Sequence, residues 1–320
     1  MNISIVIATF NRAAEVRLTL SSLTKLQPAA AVDYEILVVC NNCQDHTEAV
    51  VAEMAPLFAG RLRCVSESKQ GLSHARNRGI TEAKYEVIAF LDDDVEVDPN
   101  WLIAMTNAFG SGDYAAVGGR ASLIFPGARP LWLGESDEGY LTKVELGDGR
   151  RAAAADELFG LNLAIRLDWL QRVGLFRSDL GRQGTCLLGS EEGELLERID
   201  AVGGKLLYDP LARVEHRVFP QRLSRQWFWS RAYWGQRGEA IRMPDREVTA
   251  YGIARVWWWS IRELPTAFSA ILFRGVGSEK FFHHVGKLAG RLGLAVGMTR
   301  RFPHRFGKLF TLRLAEASSI

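Results

Sequence analysis

Short β-rich runs alternate with helical patterns through the first third of the chain, and that alternation leaves few folds open. Ile3–Ala8, Glu35–Cys40, Leu62–Val65 and Val87–Leu91 predict strands, while Ala13–Leu26, residues 45–57 and Leu72–Ala83 predict the helices between them. Strands this continuously apolar must be covered on both faces. The pattern therefore predicts an α/β fold of Rossmann type, with a mostly parallel sheet flanked by helices. Such sheets bind ligands beyond the carboxyl ends of their strands. Three polar clusters stand there: Thr9-Phe10-Asn11, Asn41-Asn42 and Asp92-Asp93-Asp94.

The aspartate triplet is the most informative of the three. Like charges crowded at the edge of a low-dielectric core persist most readily where a divalent cation offsets their repulsion. In extended backbone Asp92 and Asp94 would project to one side, offering two hard oxygen ligands with coordination positions left over. That suits Mg²⁺ or Mn²⁺ shared with a phosphate-bearing substrate. An acidic turn capping the next helix, after Asp98-Pro99-Asn100, is the plainer alternative.

Beyond Trp101 the pattern loosens. Pro126–Arg151 is rich in Gly, Pro and charge and reads as a long loop or flap. Phe159–Arg166 predicts a strand, Asp168–Val173 a short helix ending near Gly174, and Ser190 the N-cap of a further helix. From Arg217 onward there are 18 Lys/Arg against 6 Asp/Glu, so this part carries +12 and the preceding residues −10. Six of the nine Trp lie there as well. We expect a catalytic domain over residues 1–216 and a helical, basic, Trp-rich extension over 217–320. Indoles interleaved with arginines favour an anionic membrane surface, here the inner leaflet; nucleic acid is not expected, since no recognition fold accompanies the charge.

Met1-Asn2-Ile3-Ser4 lacks the pattern of a signal peptide, and Leu264–Phe273, the stretch that comes closest to a membrane span, is too short for one and is flanked by Glu263 and Arg274. Cys40, Cys43, Cys64 and Cys186 make no disulfide framework at this length, so reduced thiols in the cytoplasm are expected. Cys40-x-x-Cys43 has no second pair at zinc-ribbon spacing and reads as structural.

Taken in order, several stretches resemble the family 2 glycosyltransferases of the nucleotide-sugar-binding GT-A type. They are Ser4–Arg12, Glu35–Asn42, Gln70–Gly79, Phe90–Val95, Gly160–Asn162, Gly189–Leu195 and Tyr208-Asp209-Pro210 through His216. The resemblance covers residues 1–235 and implies an inverting, metal-assisted transfer from a nucleoside-diphosphate sugar, UDP-linked by preference, to a glycan or lipid-linked acceptor. It implies that Thr9, Phe10, Asn11, Arg12 and Asn41 cradle the nucleotide, that Arg76 and Asn77 lie near ribose and diphosphate, and that Asp92 contacts the ribose beside Asp93. Asp94 would hold the metal and His216 would meet it. Glu192, or Glu191 beside it, would be the base that deprotonates the acceptor. Cys40 departs from the family pattern, which often carries a base-reading acid there; Asn41, Asn42 or Asp45 would compensate, or backbone alone would read the base. Two other readings compete: a sugar nucleotidyltransferase, although Thr9–Arg12 is not a Gly-rich phosphate loop, and a non-catalytic nucleotide-sugar or membrane-binding relative.

Overall fold

The computed structural model describes residues 1–27, 32–184, 186–274 and 279–317, with backbone alone for residues 266–274, 279–280 and 302–317. The chain divides into two compact units. One comprises Met1–Ala128, Leu141–Thr185 and Glu191–Pro220; the other comprises Arg129–Tyr140, Cys186–Ser190 and Gln221–Ile320.

The first unit is built on a nine-stranded sheet. Strands β1 (Ile3–Thr9), β2 (Tyr34–Asn41), β3 (Leu62–Glu67) and β4 (Val87–Asp92) run parallel in the order β3-β2-β1-β4. Ile3, Ile5, Ile7, Ile36, Val38, Val87 and Ile88 are fully buried, as strands covered on both faces must be. Helices α1 (Ala13–Leu23) and α2 (Thr47–Met54) contribute Val16, Leu20, Val50 and Val51 to the core. Helix α3 (Leu72–Glu82) packs on β1 and β2. Strand order reverses about β1, between β2 and β4, and such a switch point opens a crevice at the carboxyl ends of the strands.

The remaining strands make the sheet mixed. They are β5 (Val95–Val97), β6 (Ala116–Ile124), β7 (Arg151–Ala152), β8 (Asn162–Arg166) and β9 (Leu206–Arg217); helices α4 (Trp101–Gly110), α5 (Leu167–Val173) and α6 (Glu191–Ala201) complete the unit. β8 pairs antiparallel with β4 and β6, and β9 runs parallel to β6 and antiparallel to β5 and β7. The predicted strand from Phe159 begins later, at Asn162. Asn162 is a clasp: its Oδ1 accepts from Trp101 Nε1 at 2.8 Å, and its Nδ2 donates to the carbonyls of Arg120 and Ala212 at 3.0 and 2.9 Å. Pairing of β5 with β9 sets His216 opposite Val95, beside the aspartate triplet.

The second unit is helical: α7 (Arg225–Arg242), α8 (Ala250–Arg274) and α9 (Glu279–Ala317). The Ser224 hydroxyl caps α7 by accepting from Trp227 N. Gly293 lets α9 reach α7, because a Cβ there would lie 2.0 Å from the Tyr233 carbonyl oxygen. Trp132, from the predicted flap, packs with Phe228 and Phe282 at ring distances of 5.4 and 4.5 Å. Ser190, expected to cap α6, instead donates its hydroxyl to Glu239 at 2.6 Å. Among the described residues no helix is long and apolar enough to cross a membrane.

Candidate active site

The parallel register puts Thr9 beside Cys40 and Ala8 beside Asp92, so the ends of β1, β2 and β4 lie at one level. β4 stops at Asp92, and Asp93 and Asp94 form the turn into β5. The same-side rule for extended backbone therefore does not reach Asp94. Neighbouring Asp93 and Asp94 instead converge on one guanidinium, and Asp92 reaches a different one.

Arg12 Nη1 donates to Asp93 Oδ1 at 2.9 Å and to Asp94 Oδ2 at 3.0 Å. Asp93 also accepts from the Thr9 hydroxyl at 2.7 Å. Burial raises the Asp93 carboxyl to about 6 even against the opposing pull of Arg12. Phe219 lies under the Arg12 guanidinium, 4.9 Å from it. On the far side of Asp94, Oδ1 lies 3.3 Å from His216 Nε2, both side chains being 2% exposed. His216 Nδ1 stands 2.7 Å from the Leu141 carbonyl. A carbonyl only accepts, so Nδ1 carries a proton, and Nε2 faces the Asp94 carboxylate.

The second guanidinium belongs to Arg76 on α3, 3% exposed. Its Nη1 donates to Glu191 Oε1 at 3.0 Å and Glu192 Oε1 at 3.1 Å, and its Nη2 to Asp92 Oδ1 at 3.5 Å. Strand tip and α6 are thus joined through one side chain. Gly160 fits between them: its N–H donates to Glu192 Oε1 at 3.1 Å, and a Cβ there would lie 2.2 Å from Arg76 Nη2. Burial, reinforced by the charge on Glu192, pushes the Glu191 carboxyl up to about 8. Burial also disfavours charge on Glu192, but Arg76 overrides it and holds that carboxyl below its usual range. The two carboxyls are thus driven apart, Glu191 towards its protonated form and Glu192 towards its ionised one.

The other expected residues divide. Phe10 is 39% exposed at the rim, and Asn11 adopts a left-handed backbone with its Oδ1 accepting from Gln44 N at 2.6 Å. Asn41 is occupied by backbone: Nδ2 donates to the carbonyls of Glu67 and Lys69, and Oδ1 accepts from Gly71 N at 2.8 Å. Asn77 clasps Phe176 through both its backbone groups, at 2.8 and 3.0 Å. Asp45 serves Ala13 N and Thr47. Of the residues proposed to compensate for Cys40, Asn42 is exposed with only a long 3.4 Å bond to Gln70, while exposed Asp45 is engaged as above. Gly160 and the Leu141 carbonyl had no assigned part; the first was visible within a quoted motif, and the second carries no sequence signal.

Residues 4–173 match the sequence profile described as Glycosyl transferase family 2. The chain belongs to that family. A glucosyl-dolichyl phosphate glucuronosyltransferase of Haloferax volcanii is 24% identical over 213 residues, covering 66% of this chain and 67% of the relative. The succinoglycan biosynthesis protein ExoM of Rhizobium meliloti is 23% identical over 305 residues, covering 92% and 94%. In fold the chain is similar to the mannosyltransferase PcManGT from Pyrobaculum calidifontis, solved with GDP-Man and Mn²⁺: TM-score 0.62, 17% identity, 93% of this chain and 86% of that one. It is also similar to GalNAc-T7 solved with UDP, GalNAc and Mn²⁺, at TM-score 0.54 and 20% identity, with 76% of this chain covered and half the length of that one spanned. The fold is α/β and GT-A-like, and the chain is a glycosyltransferase.

The buried proton has a measurable signature. The folded Glu191 carboxyl lies at about 8 against an ordinary 4.5, so its contribution to stability is complete below pH about 4.5 and is lost as pH rises through about 8. From pH 6.5 to 8, above the Asp93 range, urea unfolding should show stability falling by up to about 1.4 kcal/mol per pH unit. In Glu191→Gln that slope should flatten; an unchanged slope would place the proton elsewhere.

Proposed function

We propose that the chain moves a sugar from a nucleoside-diphosphate donor to an acceptor hydroxyl with inversion, and that Asp94 and His216 hold a Mg²⁺ or Mn²⁺ ion. The observation that carries this reading is the Arg76 bridge, which ties Asp92 at the tip of β4 to Glu192. In this reading Thr9, Phe10, Asn11 and Arg12 line the nucleotide end and Asp92 the ribose. Glu192 takes the acceptor proton as the acceptor oxygen bonds to the anomeric carbon. The bond to the diphosphate breaks with its electron pair, and a single displacement inverts the centre. Arg76 acts as a positioning residue that keeps Glu192 charged at neutral pH.

The residues fit a divalent cation. Asp94 Oδ1 and His216 Nε2 face each other across 3.3 Å in a buried site. A carboxylate plus one imidazole, completed by diphosphate oxygens and water, suits Mn²⁺ or Mg²⁺. Such an ion, when bound, supplies Lewis-acid stabilisation of the departing diphosphate. UDP follows from the family resemblance; a GDP-sugar is the alternative that PcManGT suggests. The names of the Haloferax and Rhizobium relatives favour a lipid-linked or polysaccharide acceptor.

The exposed face of α8 supports a peripheral position on the cytoplasmic side of the membrane. Tyr251, Trp258, Ile261 and Leu264 are 75%, 58%, 57% and 51% exposed. Arg255 lies over Tyr251 and Trp259, and Trp257 turns back to bond Thr299 on α9. Indole and guanidinium together suit the interface with anionic headgroups.

Two measurements test these assignments. With Mn²⁺ and a panel of sugar nucleotides, Asp94→Ala should lose metal-dependent donor binding. Glu192→Gln should bind donor as the parent does while nucleoside diphosphate release falls about 10²–10⁴-fold; full turnover in that variant removes Glu192 as base. In liposome flotation the chain should rise with anionic vesicles, less so after Trp258→Ser, and stay down with neutral ones. Flotation indifferent to lipid charge would contradict the headgroup contact.

A further inference from the structure

The β2–β3 edge of the first unit gathers a second set of metal-ligating side chains, none of them shared with the acids above. Cys40 is the last residue but one of β2, Cys64 lies on β3 and Glu48 lies in the first turn of α2. The two sulfurs are 3.2 Å apart. Both sulfurs and a Glu48 carboxylate oxygen lie within 4.8 Å of one another. We propose that Cys40, Cys64 and Glu48 form a binding site for a thiophilic divalent cation of the Zn²⁺ class.

Geometry separates this from a disulfide. Cys64 pairs in register with Val38, and Cys40 with Ser66, so the two cysteines are diagonal neighbours. One inter-strand step and two residues of strand rise put their Cα atoms about 8 Å apart, beyond the roughly 4.4–6.8 Å that a disulfide spans without backbone movement. Tetrahedral bonds of about 2.3 Å to one ion would set the sulfurs about 3.8 Å apart, an opening of about half an ångström that side-chain rotation provides. Glu48 is already held over the pair, because Ser66 Oγ donates to its Oε1 at 3.0 Å.

Each thiol releases its proton to solvent as the ion binds, so affinity rises with pH. Cys43 follows Cys40 by three residues, just beyond β2. Cys43 Sγ accepts from Asn11 N at 3.5 Å and lies 3.6 Å from the Thr9 carbonyl. Ion capture at the cluster would therefore be felt in the loop after β1. Thiolate ligands select Zn²⁺ over Mg²⁺ or Mn²⁺, and the inference does not depend on the sugar-transfer reading.

Co²⁺ is the probe. Titrated into the whole, metal-free chain under a non-thiol reductant, it should give a thiolate-to-cobalt charge-transfer band saturating at about one equivalent. Stoichiometric Zn²⁺ should abolish the band and excess Mn²⁺ should not. Cys64→Ser should lose it. Glu48→Gln, at an exposed position that folding tolerates, should weaken Co²⁺ binding at least about tenfold. No band on the folded chain, or a band unaffected by both substitutions, overturns the site.

Discussion

Three adjacent carboxylates at one strand tip, two of them buried, cannot be accommodated unless their charge is divided among cations. Everything at the carboxyl edge of this sheet follows from how that division is made. Arg12, just beyond β1, takes Asp93 and Asp94 together. Arg76, from α3, takes Asp92 along with Glu191 and Glu192. His216, delivered by the register of β9 on β5, meets the remaining face of Asp94. The split leaves one group of acids around Arg12 and another around Arg76.

Burial gives this arrangement its consequences. A guanidinium 3% exposed is tolerable only because it is surrounded by acids, and removing it would leave an acid pair uncompensated. The same low-dielectric setting drives two neighbouring glutamates apart, raising Glu191 and holding Glu192 below its usual range. In the proposed transfer, that difference would suit Glu192 to take a proton from a hydroxyl near neutral pH. Packing enforces the closeness: Gly160 has no side chain, and the Glu192 carboxylate and Arg76 fill the space a Cβ would need.

Much of this was legible in the sequence, for reasons that can be named. The four parallel strands announce themselves because strands buried on both faces are nearly continuous apolar runs, and their ends fall at one level because parallel register keeps Thr9 beside Cys40 and Ala8 beside Asp92. Pairings across long separations were not legible. Arg76 lies 115 residues from Glu191, and no local pattern shows that a helix-face arginine is sequestered there. The alternation rule failed between Asp92 and Asp94 because the chain turns at Asp93. Asn41 and Asn77 look like ligand-binding amides, yet each is engaged by backbone that it holds in place. Cys64 joins Cys40 only through the β2–β3 register, which the Cys-x-x-Cys spacing cannot reveal.

The central claim is that the tip of β4 and His216 hold one cation together with the donor diphosphate. Pulsed electron paramagnetic resonance of Mn²⁺ bound to the chain with a nucleoside diphosphate reads those ligands directly. The account predicts phosphorus couplings from the diphosphate and one histidine nitrogen coupling on the same ion, the nitrogen vanishing in His216→Ala. Phosphorus coupling with no histidine nitrogen, or Mn²⁺ surrounded by water alone, would contradict it.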